Sequence, residues 1–383
     1  MRHTGQPPGL TWRGISVRGL GIDDPDTAAR AVLDALDAPD LLPHVQAHAG
    51  RDAQGSHLNL QLNAPWRARH SPDLDTLQLA QRLQLQPHAQ PQHLVREIVL
   101  ALLQCPVVCD FPSLAELRSA VRIRRNIVQA ARKTTLAFHT SQAERPEDCW
   151  TYKPEIGFVI RPGISLIEAL TKATQPEVSG ALYDFSCYRA TEYVMLLGIA
   201  QELQATNPAL LAQLQALWTQ RPIMSGEFHE VFLREQGSME APLPAQYFVP
   251  GDRVWFRNPD EASAEASGFE GSWVMYLGDG LFTNFWKRDQ PYTLTRKCVE
   301  IYHWRHGLYR DAQGDDRIDE VRIEPMIQAT LDDPAELARV MAHMTRFREP
   351  RGVYTEAGGC IDTTREFARW ICPGTCDLTL PAA

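Results

Sequence analysis

The sequence predicts an α+β fold in which an antiparallel sheet packs on a central helix. Three observations carry that expectation. Residues 188–204 include Ala190, Tyr193, Val194, Leu196, Leu197, Ala200 and Leu203 and leave almost no polar face, the pattern of a helix buried on every side. After about residue 224 the pattern changes to short apolar runs separated by turn residues, which reads as strands. Within that region Gly278-Asp279-Gly280 stands between the apolar runs 272–277 and 281–286, a hairpin signal.

The elements follow in order. Residues 1–92 are rich in Gln, His, Pro and Asp and read as a partly helical extension. In it Asp24 can cap a helix that opens on Pro25 and carries Ala29, Val32, Leu33 and Leu36 on one stripe. A Leu- and Gln-rich stretch spans 74–85, and 86–92 reads as a linker. The core is expected over 93–312. It opens with a helix at 93–103, then one from Ser113 to about 133, with Glu116 at capping-box spacing from Ser113. A strand pair or one long strand is expected at 150–160, a helix at 164–173, and then the central helix. Strands are expected at 253–257, 272–277, 281–286 and 297–304, with a polar loop at 258–268. Residues 313–383 read as a second extension, helical over 333–346.

Composition narrows the class. The chain has 383 residues, 44% hydrophobic and 22% charged, which is ordinary for a globular protein. Lys+Arg 38 against Asp+Glu 47 leaves a net charge of −9, which argues against sequence-independent nucleic-acid binding. Arg118, Arg122, Arg124, Arg125, Arg132 and Lys133 still give one helix a basic surface. The longest apolar run, 98–108, is broken by Gln104 and is far short of the roughly 20 residues a membrane span needs. The first eight residues hold no apolar core of a secretory signal, so a cytoplasmic location is expected. Eight cysteines are too few for a disulfide scaffold and are expected as free thiols.

Cys187 is the residue that chemistry singles out. It follows Ser186, a plausible cap, at the start of the buried helix. A thiol at the positive end of a helix dipole tends toward the thiolate. A papain-like site is built this way, with the general base on a sheet packed against the helix. Simple packing is the other fate of such a cysteine. Cys105 with Cys109, and Cys372 with Cys376, have gaps compatible with zinc, but no fourth ligand of clear spacing is visible. Gly19-Leu20-Gly21 begins like a dinucleotide loop, yet Asp24 stands where the third glycine belongs. No metal and no cofactor are expected.

Several segments resemble the bacterial spore-coat type protein-glutamine gamma-glutamyltransferases. They are Phe111-Pro112-Ser113-Leu114-Ala115-Glu116-Leu117, Arg125-Asn126-Ile127-Val128-Gln129-Ala130-Ala131, residues 150–160, and residues 181–198 with Phe185-Ser186-Cys187. Gly251-Asp252, Phe256-Arg257-Asn258-Pro259 and residues 274–278 extend the match, which covers about 93–310. The resemblance implies a papain-like or NlpC-type cysteine fold with Cys187 as nucleophile. It implies that a thioester forms with a protein glutamine and is resolved by a lysine amine, without calcium or other cofactor. Three positions depart from the family pattern. Ser272 stands where the family has a glutamate, Asn284 where it has a histidine, and Ser186 where a carboxylate precedes the nucleophile.

Replacements for the base can be named. Glu270 lies two residues before Ser272 and would share its side of an extended strand. His303 lies on the strand expected at 297–304, which would pair with 281–286 and set the imidazole beside Asn284. The expected catalytic set is therefore Cys187, His303, Asn284 and Glu270, with His229, expected on a loop, as a further possibility. The expected activity is cysteine-dependent acyl transfer on protein glutamine, ending in an isopeptide cross-link or deamidation. The alternatives are a thiol peptidase or amidase on the same fold, and a catalytically impaired domain that acts as a binding protein. The expected partners are proteins offering glutamine and lysine side chains, with neither nucleic acid nor membrane.

Overall fold

The computed structural model describes residues 13–22, 24–137, 143–351, 354–355 and 357–381. The first eight residues, expected to carry no secretory signal, lie outside the described residues. Four strands come first: β1 (Gly14–Arg18), β2 (Val45–Asp52), β3 (Gly55–Leu62) and β4 (Val108–Phe111). They form one sheet in the order β2-β3-β1-β4. The sheet therefore joins the expected extension to the expected core, because β1 pairs in parallel with β4, Ile15 opposite Cys109. The helix Pro25–Ala35 starts where Asp24 predicts it, with the Asp24 carboxylate accepting from the Thr27 N–H at 2.8 Å. The stretch expected as a linker ends in a helix, since Pro91 opens Pro91–Leu103.

The helix Leu114–Lys133 begins at its Ser113 cap, whose Oγ accepts from the Glu116 N–H at 3.2 Å. Glu116 has another use. Its Oε1 accepts from the Cys372 N–H at 2.6 Å and the Thr375 hydroxyl at 2.7 Å, tying the C-terminal segment to this helix. Of the two readings of 150–160 the structure shows the pair, β5 (Trp150–Lys153) with β6 (Gly157–Ile160). The central helix is Cys187–Thr206, buried along nearly its whole length from Ala190 to Leu203. It packs on Leu114–Lys133 at Gly198, where a Cβ would stand 2.5 Å from Ile127 Cγ1, so only glycine permits the approach.

The remaining strands are β7 (Leu233–Gln236), β8 (Arg253–Arg257), β9 (Gly271–Gly278), β10 (Leu281–Phe282), β11 (Tyr292–Thr293), β12 (Leu308–Arg310), β13 (Asp316–Ile318) and β14 (Arg365–Ala368). Six of them form an antiparallel sheet in the order β11-β10-β9-β8-β14-β7. Its two faces are sorted by the period of two. Met275 and Leu277 join the core around the central helix. Val274 and Tyr276 join a second core with Ile301, Ile327, Val340 and Met344, from the helices Leu294–Gly307, Glu320–Asp332 and Pro334–Met344.

Two expected strands are corrected. The return strand is only Leu281–Phe282, because the chain turns at Asn284. Residues 297–304 are helical, within Leu294–Gly307. The β-branched and aromatic content of 297–304 suggested a strand. Burial instead falls on Leu294, Lys297, Cys298, Val299, Ile301, His303, Trp304 and Gly307, without the strict period of two that a strand shows, and Thr293 caps the start by accepting from the Arg296 N–H at 3.1 Å. Among the described residues no helix is long and apolar enough to cross a membrane.

Candidate functional site

A cavity of about 1090 Å³ lies where the central helix begins and β9 starts. Cys187 is its first helical residue, and Ser186 caps the helix by accepting from the Arg189 N–H at 3.3 Å. The segment before it is held by Arg145. That guanidinium lies 3.5 Å from the Phe185 ring centroid and 4.7 Å from that of Tyr193, and donates to the Asp184 carbonyl at 3.1 Å. Arg253 of β8 sits 3.9 Å from the Trp273 ring and 4.4 Å from that of Tyr188, two residues of the cavity wall. Arg253 is fixed by the Thr191 hydroxyl at 2.8 Å and by Glu366 at 2.6 Å. Trp255 and Trp273 stack across the β8–β9 pair at 5.7 Å. Tyr188, Trp255 and Trp273 thus give the cavity an aromatic wall.

Electrostatics around the sulfur pull in both directions. Burial pushes the Cys187 thiol above its ordinary pKa, and the charge of Glu270 adds to that. The N–H groups of Trp273 and Tyr188 and the Lys297 ammonium act the other way. Burial outweighs them, so the resting sulfur is a thiol. The helix end alone led to the opposite expectation.

Three of the four expected residues line this cavity: Cys187, Glu270 and Asn284. Glu270 is exposed and immediately precedes β9. Asn284 is committed elsewhere. Its Oδ1 accepts from the Lys287 N–H at 3.2 Å and its Nδ2 donates to the Gln290 carbonyl at 3.1 Å, which closes a turn. Its amide is spent on backbone and does not orient an imidazole. His303 does not line the cavity. It sits on the Leu294–Gly307 helix with Nδ1 3.0 Å from His306 Nδ1 and Nε2 2.8 Å from Thr330 Oγ1. Burial, with His306 beside it, pushes its pKa down to about 4. The antiparallel strand that was to carry His303 to Asn284 is absent, and the geometry of that assignment fails with it. Among the described residues no histidine lines the cavity.

His229 is helical rather than in a loop, within Ser225–Phe232, and pairs with Glu366 at 2.9 Å. His229, Glu235 and Glu366 each bring one possible ligand atom within 4.8 Å of the others. Both Glu366 oxygens are already held, one by His229 and one by Arg253. The group therefore reads as an ion-pair chain supporting Arg253 rather than as a metal site.

Sequence reasoning missed Lys297. It lines the cavity and is almost fully buried. Its Nζ is 3.0 Å from Glu300 Oε1 and 3.8 Å from the Tyr292 ring centroid. Burial opposes its charge, but Glu300 and Tyr292 outweigh that and hold its pKa above the ordinary value. The signal was present as the spacing Leu294, Lys297, Cys298, Ile301, Trp304, which puts a lysine on the inward stripe of a helix.

The family model described as protein-glutamine gamma-glutamyltransferase matches residues 75–365. A curated protein-glutamine gamma-glutamyltransferase of Halalkalibacterium halodurans is 24% identical over 191 residues, 49% of this chain and 62% of the relative. The match thus spans less than two thirds of that relative's length. A solved transglutaminase from Geobacillus stearothermophilus, without its C-terminal extension, aligns at a TM-score of 0.39 and 19% identity, covering 55% of this chain and 97% of that one. With its family model matched over most of its length, the chain belongs to the protein-glutamine gamma-glutamyltransferase family.

Proposed function

We propose that the chain catalyses acyl transfer on protein glutamine side chains through a thioester on Cys187, on a papain-like cysteine fold. The observation that carries this reading is Cys187 at the first turn of a buried helix. There it faces an aromatic-walled cavity and two N–H donors, inside the region matched by the family model. Among the carboxylates that line the cavity, Glu270 is the one whose charge acts on the sulfur, and it serves as the base.

In the first step Glu270 takes the thiol proton as sulfur attacks the glutamine amide carbon. A sulfur–carbon bond forms, the carbon–nitrogen bond breaks, and the proton leaves with the nitrogen as ammonia. A lysine amine of a second protein then attacks the thioester. An isopeptide bond forms and sulfur recovers its proton. Water in place of the amine gives deamidation. The Trp273 and Tyr188 N–H groups favour the negative sulfur over the neutral one.

The test is incorporation of a dansylated primary amine into dimethylated casein by the full chain, with ammonia release measured in parallel. Activity that Cys187→Ala abolishes is the expected result. Cleavage of casein peptide bonds without amine incorporation would move the reading to a thiol peptidase. Binding without either reaction would move it to an inactive interaction domain.

A further inference from the structure

We propose that Lys297 is the positioning residue that holds the Cys187 thiolate, supplying a fixed, buried ammonium in the wall of the cavity that the sulfur also lines. The inference rests on the reading of Cys187 as nucleophile. Its ground is the placement of Lys297. The residue is only 2% exposed, yet it opens onto the same cavity as Cys187, and its charge acts on the thiol. A buried ammonium is costly unless it is paired. Here Glu300, three residues on, and the Tyr292 ring compensate it. A lysine that served packing alone would not need a charged head in a cavity wall, held by a carboxylate and an aromatic face.

The groups that act on the sulfur come from several elements. Glu270, at the entry to β9, opposes the thiolate, and Lys297 favours it. Glu300 and Tyr292 act on Lys297. Glu320, which opens the next helix, interacts with both Glu300 and Lys297, and Lys287 of the preceding loop acts on Glu320. Arg145, Arg189, Lys287 and Arg296 also line the cavity, but Lys297 is the buried ammonium whose charge acts on the sulfur.

The chemistry that follows differs from that of a cysteine paired with an imidazole. An ammonium held by Glu300 has no lone pair at neutral pH, so it cannot accept the thiol proton. It lowers the energy of the thiolate, while the proton travels through Glu270 or water. Activity should then rise with pH along the titration of the thiol, with no falling limb between pH 6 and 8.

The experiment measures the rate of Cys187 alkylation by iodoacetamide in the full chain from pH 6 to 10, read by peptide mass spectrometry. Wild type is compared with Lys297→Met, Lys297→Arg and the double variant Lys297→Met/Glu300→Gln. The double variant removes both charges and leaves no orphaned carboxylate, so it reports even where Lys297→Met alone is destabilised. Loss of the cation should raise the midpoint by about one pH unit or more, roughly tenfold slower alkylation at pH 8. Lys297→Arg should restore most of the wild-type profile. Midpoints that coincide in wild type and both neutral variants would overturn the proposal, as would an arginine variant that behaves like the methionine one. The alkylation profile does not depend on turnover. Amine incorporation that survives Cys187→Ala would thus sink the parent reading alone, while a flat alkylation series would sink Lys297 alone.

Discussion

Replacing Glu97 by Gln should remove a pH-dependent loss of stability that the wild-type fold carries. Glu97 is buried on the Pro91–Leu103 helix, under the hairpin that joins β9 to β10. Its Oε1 accepts from the Asp279 N–H at 2.9 Å and the Tyr276 hydroxyl at 3.2 Å, while Oε2 has no partner. Burial pushes its pKa up from 4.5 to about 7, further than those hydrogen bonds and the Arg132 charge pull it back. A carboxyl whose folded value lies above the unfolded one is favoured in the fold while protonated. That stability is complete below pH 4.5 and is lost as pH rises through about 7. A gap of about two and a half pH units at 1.36 kcal/mol each gives roughly 3 kcal/mol. Gln keeps the accepting oxygen and cannot ionise. Urea unfolding of both proteins at pH 5 and pH 8 is the assay. Between those two conditions wild type should lose about 2.5 kcal/mol relative to Glu97→Gln, most of it between pH 5 and 7. Stability curves that run parallel across this range would refute the reasoning.

Three further outcomes are expected. Gly251→Ala should cost about 2 kcal/mol or more by thermal unfolding. Gly251 has φ +90°, and a Cβ there would stand 2.9 Å from the Arg124 Cα, beside the buried Arg124–Asp252 pair at 2.7 Å. His303→Gln should keep amine incorporation and weaken the acid sensitivity of the fold. A histidine held neutral by burial, near 4 instead of 6.5, contributes stability above pH 6.5 that is lost as pH falls toward 4. Loss of incorporation in that variant would return His303 to the chemistry. Glu116→Ala should cost about 2 kcal/mol or more and expose 370–376 to proteolysis, because the buried N–H of Cys372 loses its acceptor.

The sequence by itself determined where several helices begin. Asp24, Ser113 and Ser186 each cap the helix that follows, because a side-chain oxygen next to an unsatisfied N–H is a local interaction. The absence of a polar face on 188–204 likewise announced the central helix, and with it Cys187 at a helix end. In β3 the alternation of Leu58, Leu60 and Leu62, all fully buried, was equally readable, but the Gln- and His-rich surroundings masked it. Only the tertiary structure decided what surrounds the thiol. Asn284 and His303 were joined on the assumption of a strand at 297–304, whose β-branched and aromatic residues suit both a strand and a buried helix. Packing on the second core selected the helix. That choice turned His303 toward Thr330 and opened Lys297 to the cavity. Whether a helix-end thiol is acidic or not was decided there too. The dipole is a local property of the chain, but desolvation depends on everything folded around the sulfur, and here it is the larger effect.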